Sequence, residues 1–469
     1  MRDLVPTQVF SKRLRPYLRS NYSGAQLREL RTLLAPALAI QVNGSGIVSA
    51  ASRKLEGPES EGDETHYDAV WLRDSIWVAL GLRTETETRK HSIHVLKAML
   101  SYLSTPPQLA RMHKEEVIHI RFDGKSEKFE DVLMEGKPQH WNHKQNDALG
   151  LFYLDVLDAI AAGDIHETEL VAAEWEVLLH LPLYFGAIRF TEVEDAGPWE
   201  EIDRLNTSSV ALVTAGLERL DSMLASEKRR DRWLSKAAEL KLDKAAKFLK
   251  ERTYKELLEL GYERVLKQMT LGESPIYPVD SQKYRMADAA LLNVIYPARL
   301  ARLGLEQKLA ILKLVEPLVR EVGVCRYLHD SYQAAGYWKS QSADDCSSSE
   351  KFAARSESLV PGTEAQWFFD SWLSKIWGLL YAEYGQAEFL EKQSWHFNRG
   401  LAQLTEGDAG TSVQGADGKQ VFAFAFPESY NVVLGKNGAK EFLPSPITPL
   451  NWAKASNLLA FEQMFLSLG

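Results

Sequence analysis

The strongest constraint on the fold of this chain is a helical period of apolar residues that recurs along most of its length. In residues 147–162 the apolar side chains step by three and four positions, which predicts a helix with one buried face. The pattern recurs in residues 207–220, 367–384 and 448–465. Further helices are expected near residues 25–40, 70–82, 88–104, 168–182, 233–268, 286–296 and 305–321. Short strands are expected only near 46–50, 117–122 and 420–426, so the sequence predicts an all-α fold of about a dozen helices.

Composition and charge narrow the class of protein. The chain has 469 residues, of which 45% are hydrophobic and 25% charged, as in a soluble globular protein. No break in composition marks a boundary, so we expect one domain over residues 1–469, with residues 1–60 as an N-terminal extension packed on it. The net charge of -9 disfavours nucleic acid and anionic membranes as partners. Because the N-terminus lacks the apolar core of a signal peptide and the chain has only two cysteines, we expect a cytoplasmic protein.

Chemically suggestive residues collect in four segments where a long loop meets a helix, and such junctions often hold functional sites. Arg73 beside Asp74 supplies a donor fork and an acceptor, which suits vicinal sugar hydroxyls. Trp199 lies beside Glu200, and an indole desolvates a carboxyl so that its proton is held more tightly, as a general acid requires. In chain order, the candidates in these segments are Tyr67, Trp71, Arg73, Asp74, Trp141, Gln145, Trp199, Glu200, Glu201 and Glu428.

Each segment taken alone also fits a structural role. Asp74 fits a surface ion pair and a helix cap, and Glu200 with Glu201 fits the positive end of the helix that follows. Other chemistries have less support, because the sequence contains no GxxxxGK, GxGxxG, HExxH or GxSxG motif. We therefore expect neither a metal nor a cofactor.

Taken in order, the segments resemble glycoside hydrolase family 15, the glucoamylases, and also the glucoamylase-like domain of the phosphorylase kinase α and β subunits. The family's Tyr-x-x-x-Trp-x-Arg-Asp block matches residues 67–74, and its Trp-x-x-x-Gln-x-Asp block matches residues 141–147. The Trp-Glu-Glu block matches residues 199–201, and an Arg-Tyr-x-x-Asp-x-Tyr block matches residues 326–332. The last catalytic loop resembles residues 427–430, Pro-Glu-Ser-Tyr. The fold that this resemblance implies is an (α/α)6 toroid.

The resemblance also implies a role for each matching residue. Glu200 would be the general acid that protonates the leaving glycosidic oxygen, and Glu428 would be the general base that activates water on the opposite face of the sugar. Arg73 and Asp74 would bind hydroxyls of the terminal glucose, and Arg326 would hold another hydroxyl or balance charge. The substrate-binding residues expected in this way are Tyr67, Trp71, Arg73, Asp74, Trp141, Gln145, Trp199, Glu201 on the leaving side, and Arg326.

The expected function is an inverting, exo-acting α-glucoside hydrolase that releases glucose from the non-reducing end of short α-glucans, with an oligosaccharide as its partner. Two other functions stay open. His143 and Ser429 resemble the kinase-subunit pattern more than the fungal one, which favours a carbohydrate-binding regulatory protein without turnover. A purely structural helical scaffold is the third possibility. The serine-rich run at residues 340–350 is predicted to be an insertion.

Overall fold

A computed structural model describes residues 4–51, 67–126, 128–334, 348–357 and 359–468 of the chain. Most of the serine-rich run, residues 340–347, and part of the N-terminal extension lie outside the described residues. The helices are α1 (Gly24–Leu33), α2 (Ala35–Leu38), α3 (Leu72–Leu82), α4 (Arg89–Leu103), α5 (Pro106–His113), α6 (Asn146–Ala162), α7 (Ala172–Ala187), α8 (Thr207–Leu224), α9 (Glu227–Glu239), α10 (Asp243–Glu251), α11 (Thr253–Gln268), α12 (Leu292–Ile295), α13 (Leu305–Val315), α14 (Ser349–Glu357), α15 (Phe369–Tyr384), α16 (Ala387–Ala402) and α17 (Asn451–Ser467).

The strands are short and lie between the helices. They are β1 (Val70–Trp71), β2 (Arg121–Phe122), β3 (Leu133–Met134), β4 (Lys137–Pro138), β5 (Gln366–Trp367), β6 (Ser412–Gln414), β7 (Gln420–Phe422), β8 (Ser429–Leu434) and β9 (Lys440–Pro444). All pairings between these strands are antiparallel: β1 with β2, β3 with β4, β6 with β7, and β8 with both β5 and β9. The pairing of β5 with β8 places Trp367 opposite Ser429, next to Glu428 in the chain.

Six helices close a ring. In order around it, α3 contacts α6, α6 contacts α8, α8 contacts α12, α12 contacts α15, α15 contacts α17, and α17 returns to α3. A second layer packs outside the ring, with α4 on α3, α11 on α8, α13 on α12, α16 on α15, and α1 and α2 on α17. In the same layer, α7 contacts both α4 and α11. This arrangement is an (α/α)6 toroid, so the predicted fold class is confirmed.

Close packing fills the centre of the ring. Trp77 on α3 stacks with Trp452 on α17 at a centroid distance of 5.5 Å and meets Trp372 on α15 edge-on at 4.9 Å. Gly150 lets α6 approach α8 closely, because a Cβ atom at that position would lie 2.5 Å from the backbone nitrogen of Val213. The apolar period of the sequence therefore marks the faces that meet in this core.

Several local predictions differ from the structure. The helix expected over 286–296 is a 3₁₀ helix, Ala289–Leu291, followed by the single turn of α12. No strand forms over 46–50. The next residue, Ala51, forms an isolated bridge with Leu450. Conversely, the β8–β9 hairpin lies where no strand was predicted. Short strands are set by pairing with distant segments, which the local pattern does not reveal.

The N-terminal segment packs on the ring from outside. The ring of Phe10 stacks on Tyr430 at a centroid distance of 3.8 Å, and the Tyr22 hydroxyl donates to Asn398 Oδ1 at 2.5 Å. The division of the chain as one domain over residues 1–469 stays a prediction.

Candidate active site

The first residues of the inner helices, and the loops that lead into them, carry the candidate side chains. Arg73 and Asp74 lie in the first turn of α3, and Asp147 lies in the first turn of α6. Glu200 precedes α8, and Glu428 precedes β8 and the loop that leads to α17. Because these segments open helices of one closed ring, the fold gathers residues that are far apart in sequence at one end of the toroid.

Arg73 joins three of the four predicted segments. Its Nε and Nη2 donate to the two carboxylate oxygens of Asp147, at 2.6 and 3.2 Å. Nη2 also donates to Gln145 Oε1 and to the Gly197 carbonyl, and Nη1 donates to Glu200 Oε1 at 3.2 Å. The guanidinium is only 4% exposed. Such a bidentate, buried ion pair fixes both partners. Arg73 therefore sets the position of residues 197–201, called the acid loop after the candidate acid Glu200, relative to α3 and α6.

Glu200 lies at a sharp turn. It follows a 3₁₀ helix, Gly197–Trp199, and takes a left-handed φ of 58°. Its side chain is 17% exposed. Burial raises the pKa of Glu200 above its ordinary value, although Arg73 and Arg121 act in the opposite direction. A carboxyl that holds its proton in a partly open pocket is suited to proton donation.

The neighbouring carboxyl, Glu201, points into a different environment. It is 1% exposed, and its Oε1 accepts hydrogen bonds from Arg326 Nη2 at 3.0 Å, Arg355 Nη2 at 2.5 Å and the Tyr327 hydroxyl at 2.8 Å. Burial alone would raise the pKa of Glu201, but Arg355, Arg326 and two further arginines hold it well below its usual range. Glu201 is therefore a fixed anion and not a proton donor.

Glu428 is held by two neutral donors. The Tyr67 hydroxyl donates to Oε1 at 2.9 Å, and Gln333 Nε2 donates to Oε2 at 2.5 Å. The side chain is 3% exposed, and burial raises its pKa to about 7 in spite of those two hydrogen bonds. The Tyr67 hydroxyl also lies 3.2 Å from the Tyr332 hydroxyl. Each oxygen of Glu428 keeps a second lone pair, so the carboxylate can still accept a proton from water.

Asp74 interacts electrostatically with both candidate carboxyls, Glu200 and Glu428. Burial raises its pKa to about 7, Arg73 lowers it, and Glu200 raises it. Asp74 in turn contributes to the raised pKa of Glu428. Asp74 is therefore close enough to both Glu200 and Glu428 for their charges to interact.

Aromatic rings lie next to both candidate carboxyls, Glu200 and Glu428. Tyr67, Trp71 and Trp141 follow one another at centroid distances of 5.4 and 5.9 Å. On the other side, Trp367 lies 6.4 Å from Trp199 and 6.0 Å from Tyr332. Such walls are suited to the apolar faces of sugar rings.

All eleven predicted site residues lie in this region, but they fall into two groups. Arg326 donates to Asp330 and Glu201, and its guanidinium lies near the rings of Trp199, Tyr332 and Trp367. The structure thus joins Arg326 and Glu201 to each other within a buried arginine cluster that also contains Arg204, Arg285 and Arg355. The remaining nine are, in chain order, Tyr67, Trp71, Arg73, Asp74, Trp141, Gln145, Trp199, Glu200 and Glu428. Their roles toward a substrate stay predictions.

Two residues that sequence reasoning missed take part in the site. Gln333 donates to Glu428, and its own Oε1 accepts from Ser429 and Asn431. Arg121 lies between the rings of Trp71 and Trp141, at 4.6 and 4.1 Å. Within the described part of the chain, its Nε and Nη2 have no hydrogen-bond partner. Gln333 directly follows the matched block at 326–332, and Arg121 lies in a predicted strand, so neither carried a signal of its own.

The described residues contain neither a metal-binding cluster nor a helix that could span a membrane. Among them, no group of three or more His, Cys, Asp or Glu side chains could hold a metal ion. None of the described helices combines the length and the apolar character that crossing a bilayer requires.

Comparison with known proteins gives the family. A family model described as "Glycosyl hydrolases family 15" matches residues 29–333. The chain belongs to glycoside hydrolase family 15. The matched range includes the candidate acid Glu200 but ends before the candidate base Glu428.

One curated protein is similar to the chain in sequence, and two solved structures are similar to it in fold. The chain is 35% identical, over 183 residues, to "Uncharacterized lipoprotein YgeQ" of Escherichia coli (strain K12), a match of 36% of this chain and 67% of that protein. A glucoamylase from Saccharomycopsis fibuligera is similar in structure with a TM-score of 0.56 at 14% identity, covering 99% of this chain and 98% of that one. A variant of a protein described as a glycosidase is similar with a TM-score of 0.56 at 15% identity, covering 95% and 100% of the two chains. At identities of 14% and 15%, the similarity to these two solved structures shows the fold alone.

Proposed function

We propose that this chain is an inverting, exo-acting α-glucoside hydrolase that releases glucose from the non-reducing end of short α-glucans. The observation that carries the proposal is the pair of carboxyls Glu200 and Glu428, which both interact with Asp74 and are held by different partners. Hydrolysis of a glycoside by inversion needs two such groups, a proton donor and a base. Family membership supports the reaction class, and the geometry supports the roles.

Glu200 is the proton donor in this mechanism. Burial favours its protonated form before reaction. When the proton passes to the glycosidic oxygen, the carboxylate that remains is stabilised by Arg73 Nη1, 3.2 Å away. The same contact that opposes protonation in the resting protein therefore favours the product of proton transfer.

Glu428 is the base. Its two oxygens are oriented by Tyr67 and Gln333, and the adjacent hydroxyls of Tyr67 and Tyr332 offer hydrogen bonds to a water molecule beside it. The water attacks the anomeric carbon as Glu428 takes its proton, and the bond to the leaving oxygen breaks on the opposite face. For this the two carboxyls should lie roughly 6.5–9.5 Å apart.

The burial of the polar residues supports exo action. Arg73, Gln145 and Asp147 are at most 4% exposed and bind one another, whereas Trp141 and Trp199 are half-buried and lie nearer the surface. This difference in burial favours entry of a glycoside with one end first. Asp74 and the free N–H groups of Arg121 are then placed to bind hydroxyls of the terminal sugar.

Glucose release from maltose, isomaltose and trehalose tests the proposal, with the anomer of the first product followed by NMR. We expect β-glucose from at least one of these sugars. Replacing either carboxyl, by Glu200→Gln or Glu428→Gln, should lower kcat by about 10²–10⁴-fold. Glu388→Gln, on the exposed face of α16, is the matched control and should change nothing. A wild-type rate that survives either of the first two substitutions would exclude that residue as acid or base.

A second function has one observation in its favour. Arg73 donates to Glu200 in the resting structure, and this contact favours the ionised form, which cannot donate a proton. A carbohydrate-binding protein without turnover would show this arrangement too. Sugar binding by calorimetry, without any release of glucose by the unmutated chain, would support this alternative.

A further inference from the structure

A cavity of about 510 Å³ lies beside strand β5, and its volume is typical of sites that bind small molecules. Successive side chains of a strand point to opposite faces. Gln366 lines the cavity, whereas the next residue, Trp367, packs against Trp199 near the acid loop. The cavity is therefore separate from the candidate active site. The polar side chains that line it are Arg320, Glu321, Glu364, Gln366 and Lys440.

Three of these side chains are held by one another and by the backbone. Lys440 Nζ forms an ion pair with Glu321 Oε1 at 2.5 Å, and Gln366 Nε2 donates to Glu321 Oε2 at 2.9 Å. Gln366 Oε1 accepts hydrogen bonds from the backbone N–H groups of Val322 and Gly323, at 2.7 and 3.1 Å. This side of the cavity is therefore ordered and electrically neutral before any ligand binds.

Glu364 and Arg320 are different, because their charges have no such partners. Glu364 is only 7% exposed, and no side chain or backbone group in the described part of the chain donates to its carboxylate. Arg320 is half-buried and forms no ion pair with Glu364 or with any other carboxylate of the described residues. Burial raises the pKa of the Cys325 thiol to about 12, Arg320 lowers it and Glu364 raises it. The two charges thus lie near one buried residue without meeting each other.

The charges that face the cavity indicate the chemistry of its ligand. A buried charge is costly unless it is paired, so Glu364 calls for a cation and Arg320 for an anion that its guanidinium can bind with two N–H groups. Because Lys440 and Glu321 already neutralise each other, a ligand that carries one charge of each sign and no net charge matches the remaining pair. None of the residues that line this cavity is aromatic, so it offers no platform for a sugar ring.

We propose that this cavity is a binding site for a small zwitterion, such as an amino acid, whose ammonium group binds Glu364 and whose carboxylate binds Arg320. The site lies outside the ring of residues assigned to glycoside hydrolysis. It goes beyond the proposed hydrolase function and does not depend on it.

Calorimetric titration of the full chain with glycine, β-alanine and γ-aminobutyrate tests the proposal, since the two charges of these probes are separated by increasing distances. We expect at least one of them to bind with a Kd below about 1 mM. Glu364→Gln and Arg320→Gln each remove one charge and should each weaken that binding by at least about tenfold. Glu441→Gln removes an exposed carboxylate of β9 outside the cavity and is the matched control, with unchanged affinity.

Four results would overturn the inference. They are no binding of any of the three zwitterions, equal binding to Glu364→Gln and to the unmutated chain, equally tight binding of butyrate or butylamine, and binding of maltose that Glu364→Gln abolishes. The third result would mean a site for a single charge, and the fourth a second sugar site. Melting temperatures show whether the variants fold. If Arg320→Gln does not, Glu364→Gln decides, because it keeps the size of the side chain. Glucose release is not measured, so failure of the hydrolase proposal leaves this test unchanged.

Discussion

The hydroxyl of Tyr67 offers the sharpest test of the role of Glu428. Tyr67→Phe removes this oxygen and leaves the ring that packs 5.4 Å from Trp71. The oxygen donates to Glu428 Oε1 at 2.9 Å, and it favours the ionised form of a carboxyl whose pKa burial has raised to about 7. Without this donor, the ionised form is destabilised and the protonated form is not.

The size of the effect follows from the charge on the acceptor. A hydrogen bond to a charged group contributes about 1.5–3 kcal/mol, and one pKa unit corresponds to about 1.4 kcal/mol. The pKa of Glu428 should therefore rise. Because only the ionised carboxyl can act as a base, the acidic limb of the pH profile should move to higher pH, by about 1–2 pH units. At a fixed pH below that limb, kcat/KM should be lower than in wild type by about 10–100-fold.

The assay is the pH dependence of kcat/KM with α-glucosyl fluoride as substrate. Fluoride leaves without a proton, so the rate follows the ionisation of the base and is independent of Glu200. Tyr381→Phe, near the C-terminal end of α15 and away from the pocket, is the matched control. An acidic limb at the same pH in Tyr67→Phe and wild type, or a limb moved to lower pH, would refute the assignment of Glu428 as the base held by Tyr67.

Two further predictions concern the framework of the site. Gly150→Ala should lower the free energy of unfolding by about 1–3 kcal/mol, because its Cβ would meet the Val213 backbone nitrogen. Urea denaturation measures this free energy. Gly44→Ala is the control and should have little effect, because a Cβ there meets nothing within 4 Å. Arg73→Lys keeps the charge but loses the bidentate contact with Asp147, so we expect a loss of stability of about 3 kcal/mol together with a lower kcat. Unchanged unfolding in Arg73→Lys would show that the buried ion pair does not fix the acid loop.

The fold class could be predicted from sequence because a helical toroid repeats one local signal. Each inner helix buries one apolar face against its neighbours, and the resulting period is visible without knowledge of the partner helix. The two-residue strands β1 and β5 carry no comparable signal, since their pairing partners lie tens of residues away. Strand β8 pairs with distant β5 as well as with nearby β9. The cytoplasmic location expected from the N-terminal sequence stays a prediction.

The candidate site could be predicted only in part, for a related reason. Glu200 lies in a motif whose neighbours in sequence, Trp199 and Glu201, already suggest its chemistry. Gln333 is an ordinary residue in a loop, and only the fold brings its amide to Glu428, 95 positions later. Arg121 likewise becomes part of the site only because the fold places it between the indoles of Trp71 and Trp141. Residues that act by orienting others become visible only when the partners they orient are in place.

The adjacent carboxyls of the acid loop show how the fold assigns opposite tasks to one residue type. Glu200 and Glu201 are neighbours in the chain, yet the first holds its proton more tightly than a free glutamic acid and the second less tightly. The left-handed φ of 58° at Glu200 lets the two side chains reach different partners, one toward Arg73 and the open pocket, the other toward the arginine cluster. A substitution that forces an extended backbone at this turn, such as Glu200→Val, should therefore disturb both carboxyls at once, whereas Glu200→Gln keeps the turn and removes only the proton donor. Comparing sugar binding in these two variants separates the contribution of the turn from that of the acid, because only the first should weaken binding as well as abolish turnover.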